Sequence, residues 1–194
     1  MDSYLTLVGS IVIGGIFLLG LLSFHGDMID QSHQKNFELL AQENAAAMME
    51  IIDHDFTRIG SGLSSPAFAI MSADTVENTT EITFQADLDE DGVADTVQYL
   101  VSTTAAAAAT ENPNDRILYR IVNGDSTVNT PFGVRRFRLR IKNRQGNNTM
   151  DLMAASMIEI LLRVESTFAY DGVYGAALWE KRFMPQSLYR IPRN

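Results

Sequence analysis

The most constraining feature of this sequence is an uncharged apolar run near its start. From Tyr4 to Phe24 there are 21 residues without a charged side chain, YLTLVGSIVIGGIFLLGLLSF. A helix rises about 1.5 Å per residue, so a helix of this length matches a hydrocarbon core about 30 Å thick. A secretory signal is the alternative, but its apolar region is usually about 7–15 residues long and follows a basic segment. Only Asp2 precedes this run as a charged residue. The run therefore predicts a retained, single membrane-spanning helix.

The charge of the chain is divided unevenly between its two parts, and the net value of −9 conceals this division. Residues 1–134 hold 19 acidic and four basic side chains, a net charge of −15. Residues 135–194 hold five acidic and 11 basic side chains, a net charge of +6. The division predicts an electrostatic contact, either between the two parts within one fold or between neighbouring subunits.

The residues after the apolar run continue a helical pattern. Apolar side chains recur three or four positions apart along one stripe, and Gly60 and Gly62 then end the pattern. The stripe consists of Phe37, Leu40, Ala41, Ala45, Met48, Ile52 and Phe56. The pattern predicts one helix from about residue 3 to residue 58. We expect its first half to lie in the membrane and its amphipathic second half to pack on a domain.

Beyond the helix, apolar residues alternate with polar ones, which is typical of strands. The predicted strands are Glu81–Asp87, Thr96–Thr103, Arg116–Asn123, Val134–Arg144, Met157–Ser166 and Leu178–Met184. Residues 61–80 and 124–131 are predicted as a loop and a turn-rich link. Together the elements predict an α+β protein, in which a long N-terminal helix packs on an antiparallel β-meander. The predicted segments are a transmembrane helix (1–26), an amphipathic helical stem (27–60) and an antiparallel β-domain (61–194).

An acidic segment between the first two predicted strands has the spacing of the calcium loop of an EF-hand. Carboxylates stand at positions 1, 3, 5 and 9 of that loop and a glycine at position 6: Asp87, Asp89, Asp91, Asp95 and Gly92. Oxygen ligands of this kind suit calcium, but position 12 is Gln98 instead of a bidentate glutamate. The segment predicts either a calcium site or an Asp-Gly hairpin turn with solvated carboxylates. Bound calcium would rigidify the hairpin and would catalyse no reaction.

The predicted strand Val134–Arg144 carries five basic side chains on one face. This basic ladder consists of Arg136, Arg138, Arg140, Lys142 and Arg144. Glu159 and Glu165 of the following strand can neutralise part of the ladder, because cross-strand charge pairs stabilise sheets. No aromatic side chains interleave with the arginines on their own face, as they do in proteins that bind single-stranded nucleic acid. We therefore expect ion pairs within the sheet or with another subunit, and no nucleic-acid partner.

The sequence has no pattern typical of a catalytic site. It contains no cysteine, which excludes disulfides, thiolate metal sites and cysteine nucleophiles. It has no G-x-S-x-G, no H-E-x-x-H and no phosphate-binding loop. Its three histidines, His25, His33 and His54, all lie in the predicted helix, with no third ligand at a suitable spacing. We expect a protein that is not an enzyme, has no small-molecule substrate, and has no cofactor except calcium at the acidic segment.

The chain resembles the type IV pilin family, which includes minor pilins and the pseudopilins of type II secretion. The resemblance is carried by the apolar start and by four later segments: HDFTRIG, ITFQADLDEDGVADTVQYLV, RRFRLRIKN and KRFMPQSLYR. It implies a structural subunit with a single pass through the cytoplasmic membrane and a C-terminal domain that is periplasmic or extracellular. Such subunits assemble with other pilin-like subunits through their N-terminal helices, into a pilus or a pseudopilus at the cell surface.

The start of the sequence departs from the pattern of that family. Pilins have a short basic leader before the apolar run, and a glutamate at the fifth position of the mature chain pairs with the N-terminus of a neighbour. No such leader is recognisable here, and the fifth residue is Leu5. Two alternatives therefore stay open. The chain is either a subunit of a filament or a single-pass accessory subunit of a membrane complex that forms no filament.

Overall fold

The computed structural model describes residues 2–75, 77, 79–129 and 133–189. One long helix, α1 (Asp2–Thr57), is followed by eight strands and a short C-terminal helix, α2 (Gln186–Tyr189). The first five strands are β1 (Ile70–Ala73), β2 (Glu81–Ala86), β3 (Asp95–Val101), β4 (Leu118–Val122) and β5 (Asp125–Asn129). The last three strands are β6 (Val134–Lys142), β7 (Met157–Tyr170) and β8 (Val173–Phe183). The expected α+β fold, with a long helix packed on antiparallel strands, is confirmed.

The strands form two antiparallel sheets, and in each sheet neighbouring strands follow one another along the chain. The order is β1-β2-β3-β4-β5 in the first sheet and β6-β7-β8 in the second. Isolated bridges from Thr79 to Leu139 and from Arg116 to Val134 join the free edge of β6 to the segments that precede β2 and β4. The single meander expected from the sequence is therefore divided between β5 and β6.

The core lies where the second half of α1 meets both sheets. Phe56 is fully buried at its centre. Its ring contacts Phe84 at 5.1 Å, Tyr99 at 5.4 Å and Phe183 at 5.6 Å between ring centroids. Because Phe84 and Tyr99 belong to the first sheet and Phe183 to the second, one helix residue holds the two sheets together.

The buried face of α1 follows the predicted stripe except at its first two members, of which Phe37 is half-buried and Leu40 is exposed. Five of the predicted residues are buried, namely Ala41, Ala45, Met48, Ile52 and Phe56. Leu40 was expected on this face but is 51% exposed, because the helix first enters the core at the next residue, Ala41. The helix ends after Thr57, and Gly60 and Gly62 then adopt φ angles of +80° and +73°, which favour glycine.

Three parts of the sheet prediction differ from the structure. The predicted loop 61–80 contains β1, whose few residues pair with β2 and show no long alternation. The predicted link 124–131 contains β5, while its residues 130 and 131 lie outside the described part of the chain. Strand β7 runs four residues past its predicted end and β8 begins five residues before its predicted start, and the two form a long hairpin that turns at Asp171 and Gly172.

Candidate functional site

The first half of α1 is an apolar rod that no other described part of the chain covers. The large side chains from Leu7 to Phe24 are half or more exposed, with Ile13 at 70% and Phe17 at 68%. No residue of the most apolar segment of the helix is buried, so this segment is not a core helix. Among the described residues, α1 is the one helix that is long and apolar enough to cross a membrane. We call residues 4–24 the apolar half of α1.

The second half of α1, residues 27–57, is the stem, and a buried ion pair fixes its end to the first sheet. Asp55 is fully buried and receives hydrogen bonds from Arg120, from Nε at 2.6 Å and from Nη2 at 2.9 Å. The Tyr99 hydroxyl donates a third hydrogen bond to Asp55 at 2.5 Å. Arg120 lies on β4 and Tyr99 on β3, so a single carboxylate of the helix binds two neighbouring strands.

The surroundings of this ion pair shift the pKa values of both partners of Asp55. Burial raises the pKa of Tyr99 well above its ordinary value, and the charge of Asp55 raises it further. The hydrogen bond to Asp55 raises the pKa of Arg120, although burial alone would lower it. Tyr99 therefore stays a neutral donor and Arg120 a cation at physiological pH. A two-fold hydrogen bond between arginine and a carboxylate is among the stronger polar contacts of proteins.

Strand β8 holds the stem on its other side. The α-carbon of Gly175 faces the backbone of the stem so closely that an added Cβ would lie 2.4 Å from the carbonyl carbon of Phe37. Only glycine allows this approach, since real Cβ atoms do not show contacts of this length. Further along the stem, Lys181 of β8 forms an ion pair with Asp53. The stem is thus fixed to the second sheet along its packed length and to the first sheet at its end.

Four members of the basic ladder lie on the outer face of β6, as predicted, and one of them, Lys142, is neutralised. The fifth, Arg144, follows the end of the strand, which is two residues shorter than predicted, and it donates a hydrogen bond to the Tyr189 carbonyl at 2.7 Å. Lys142 forms an ion pair with Glu159 at 2.9 Å, and Arg182 of β8 shares the same carboxylate at 2.6 Å. Within the described residues, Arg136, Arg138 and Arg140 have no carboxylate at ion-pair distance. Three cations in a row are therefore available to another molecule.

Glu165 does not neutralise the ladder as we expected. It is 7% exposed and pairs with Arg163 at 2.9 Å and with Arg135 at 3.9 Å, neither of which belongs to the ladder. Asn112, in the loop between β3 and β4, donates a hydrogen bond to Glu165 at 3.3 Å. This loop covers the strand, which explains why a carboxylate predicted on an open face is buried.

The acidic segment forms the turn between β2 and β3, and it brings three of its four predicted ligands together. Asp87, Asp89 and Asp91 each offer a carboxylate oxygen, and these oxygens lie within 4.8 Å of one another. Two oxygens bound to one calcium ion at 2.3–2.6 Å are separated by at most about 5 Å, so the spacing fits. Asp95 is engaged elsewhere, since it accepts hydrogen bonds from Asn123 at 2.7 Å and from the Leu88 amide at 3.2 Å.

The same carboxylates also stabilise the turn without an ion. Asp87 accepts a hydrogen bond from the Gly92 amide at 3.1 Å, and Asp91 accepts one from the Val93 amide at 2.7 Å. Gly92 has a φ of +89°, as the turn requires. Calcium binding therefore stays a prediction. Calorimetric titration with calcium, with Asp89→Asn as the control variant, decides between a calcium site and a plain turn.

Sequence reasoning missed Asp55, the residue that joins the stem to the first sheet. A signal was present, because Asp55 falls three positions after Ile52 and therefore on the apolar stripe. An acidic residue on a buried helix face needs a partner, and Arg120 provides it 65 residues later in the chain.

Comparison with models of known protein families, with curated proteins and with solved structures finds no match to this chain.

Proposed function

We propose that the chain is a structural, pilin-like subunit, anchored in the cytoplasmic membrane by the apolar half of α1, with its β-domain periplasmic or extracellular. One observation carries this proposal. A single unbroken helix is apolar and exposed over residues 4–24, and its stem is built into the core of the domain. A helix of this kind holds the domain at a fixed position relative to the bilayer and leaves a side of the span free for neighbouring helices.

The apolar half has the small residues that close packing of helices in a membrane requires. Without a hydrophobic driving force between spans, helices associate by van der Waals contact, and small residues allow their backbones to approach. Ser10 and Gly14 are four positions apart and lie on one side of the helix. A Cβ added at Gly14 would meet no atom within 4 Å, so this side is open. We infer that neighbouring pilin-like helices pack here.

The unneutralised part of the basic ladder supports a second contact between subunits. Arg136, Arg138 and Arg140 point away from the core, while the stem exposes acidic side chains such as Glu43 and Glu50. Residues 1–134 carry a net charge of −15, so the stem and first sheet of one subunit complement the ladder of the next. Complementary charge of this kind orients subunits and speeds their association.

Cross-linking tests whether the subunits form a filament. Positions 11 and 13 are separated by about 200° around the helix, so cysteines there face two different neighbours. The chain has no cysteine, which leaves no background. In native membranes the variant Ile11→Cys/Ile13→Cys should give a ladder of covalent oligomers. Each single variant should give dimers only.

The alternative is a single-pass accessory subunit of a membrane complex that forms no filament. Residues 4–24 contain no glutamate, which favours this alternative, because a glutamate at the fifth position of the mature chain pairs subunits in pilin filaments. In this case the double-cysteine variant gives no ladder, and a cross-link to a partner that carries a cysteine of its own gives one product of fixed size. A ladder of multiples of the 21.5 kDa chain excludes this alternative.

Charge reversal tests the contribution of the ladder. Arg138→Glu/Arg140→Glu should reduce the yield of cross-linked oligomers several-fold, because it turns an attraction between subunits into a repulsion. Lys35→Glu, an exposed reversal on the stem, is the control and should leave the yield close to that of the unchanged protein. An unchanged yield in the ladder variant would refute the electrostatic contact but not the contact between helices.

A further inference from the structure

The tip of the β7–β8 hairpin lies beside α1 just above the end of its apolar half. The Tyr170 hydroxyl donates a hydrogen bond to Asp30, and the Tyr170 ring stacks on His33 with 5.0 Å between centroids. These contacts hold the tip against the helix. The tip turns at Asp171 and Gly172, whose φ angles of +50° and +74° match a tight two-residue hairpin turn.

The direction of the hairpin follows from its contacts with the helix. Gly175 lies against Phe37 and Glu38, whereas Tyr170 lies against His33 and Asp30. Toward the turn, the hairpin therefore approaches the N-terminal, apolar half of α1. The turn itself extends beyond Tyr170 in the same direction.

Because α1 is one unbroken helix, the number of residues beyond the apolar half gives the height above the hydrocarbon core. Asp30 is six residues beyond Phe24, the last residue of the uncharged run, which corresponds to about 9 Å at 1.5 Å per residue. The headgroup zone on each side of a bilayer is about 5–8 Å thick, taken as half the difference between its total and hydrocarbon thicknesses. The hydroxyl of Tyr170 therefore lies at the outer edge of this zone, and the turn lies within it.

The side chains at this height are those of an interfacial surface. Val173, which pairs with Tyr170 across the hairpin, is 56% exposed although it is apolar. On α1, Met28 and Ile29 are also exposed and continue the apolar surface from the span toward the hairpin. Apolar and aromatic side chains at the boundary of the hydrocarbon are stabilised by partial burial in lipid.

We propose that the β7–β8 hairpin tip is a second membrane contact, which binds the headgroup layer of a zwitterionic bilayer and seats the β-domain on the membrane surface. The inference rests on the proposed anchoring by α1. Zwitterionic lipid is the favoured occupant because Asp27, Asp30 and Asp171 lie at the same level and repel anionic headgroups. Two contacts prevent the domain from tilting freely about a single helix, so the outer faces of the sheets take a fixed orientation toward neighbours.

Fluorescence of single labelled cysteines tests this contact in the full chain. Val173→Cys is labelled with an environment-sensitive nitrobenzoxadiazole probe, and the protein is placed in phosphatidylcholine nanodiscs with or without lipids that carry a quencher near the headgroup. Quenching of several-fold and a blue-shifted emission are expected. The control is Val93→Cys in the β2–β3 turn, next to the far end of α1, and its probe should emit as in water.

A third variant distinguishes failure of the proposed headgroup contact of the hairpin tip from failure of the proposed membrane anchoring by α1. Leu18→Cys places the probe within the apolar half, where lipids that carry a quencher deep in their acyl chains should quench it strongly. If Leu18→Cys is quenched and Val173→Cys behaves like Val93→Cys, the headgroup contact of the hairpin tip is refuted, while the anchoring by α1 is supported. If Leu18→Cys is not quenched, both proposals are refuted.

Discussion

The two halves of α1 share one backbone geometry and differ in what surrounds their side chains. Along the apolar half, no side chain from Ile11 to Leu22 is buried by the described chain. Along the stem, the side chains from Ala41 to Phe56 that face the sheets are at most 4% exposed. The packed domain therefore ends where the helix leaves the sheets, while the helix itself continues. Stability of the domain and attachment to the membrane should therefore be separable by mutation.

The largest expected effect comes from charges placed in the apolar half. Ile13→Arg/Leu18→Arg should abolish retention in the membrane, since each arginine at the centre of a span costs about 2.5–3.5 kcal/mol of insertion free energy. The measurement is the fraction of protein that stays in the membrane pellet after alkaline extraction. Leu39→Arg/Leu40→Arg, at exposed positions of the stem, is the control and should be retained.

Truncation of Phe56, the buried side chain at the centre of the core, should destabilise the β-domain and leave attachment to the membrane unchanged. Phe56→Ala should lower the free energy of unfolding of the β-domain by about 3–5 kcal/mol, because it leaves a cavity among three aromatic rings. Unfolding can be followed by the fluorescence of Trp179, the one tryptophan of the chain, in nanodiscs. Phe17→Ala in the apolar half should leave this unfolding unchanged. Equal losses in both variants would mean that the halves are not independent.

Removal of one member of the buried ion pair should cost somewhat less. Arg120→Met should lower the free energy of unfolding by about 3 kcal/mol, because it leaves the charge of Asp55 buried without its cation. The double variant Asp55→Leu/Arg120→Met should regain most of this loss, since two apolar side chains of similar size replace the pair. Denaturation of both variants in nanodiscs measures the difference. A double variant as unstable as the single one would contradict this explanation.

The different surroundings of the two halves of α1 could be predicted from the sequence, because a local pattern marks each half. An uncharged run and a stripe of apolar side chains need no knowledge of the remaining chain. Asp55 could not be assigned its role, since its partners Tyr99 and Arg120 lie 44 and 65 residues away. The division into two sheets escaped prediction for the same reason, because alternation shows that a strand has two faces and does not show which strand is its neighbour. In the acidic segment, the spacing predicted the cluster of Asp87, Asp89 and Asp91. It could not predict that Asp95 is bound by Asn123, because that residue belongs to another turn.

The smallest expected effect is a dependence of domain stability on pH. Burial alone would raise the pKa of Glu159, but hydrogen bonds from Lys142 and Arg182 and their charges hold it below its ordinary value of 4.5. A carboxylate with a lowered pKa in the folded state stabilises the fold at neutral pH, and this contribution is lost as the pH falls through that lowered pKa.

A comparison with Glu159→Gln isolates this contribution. The difference in unfolding free energy between the unchanged protein and the variant should be about 1 kcal/mol or less at pH 7 and should vanish below the folded-state pKa. Attachment to the membrane should not change over the same range, because residues 4–24 have no acidic or basic side chain. A difference that grows as the pH falls would contradict the assigned ion pairs.

A scan of solvent accessibility along α1 tests the division of the helix most directly. Single cysteines in this cysteine-free chain can carry spin labels at exposed positions 13, 17, 18, 35, 43 and 50, in nanodiscs. We predict that labels at 13, 17 and 18 are accessible to oxygen and protected from a water-soluble nickel complex, and that labels at 35, 43 and 50 show the reverse. Labels at 13, 17 and 18 that are open to the nickel complex would contradict the account of the apolar half as a membrane anchor.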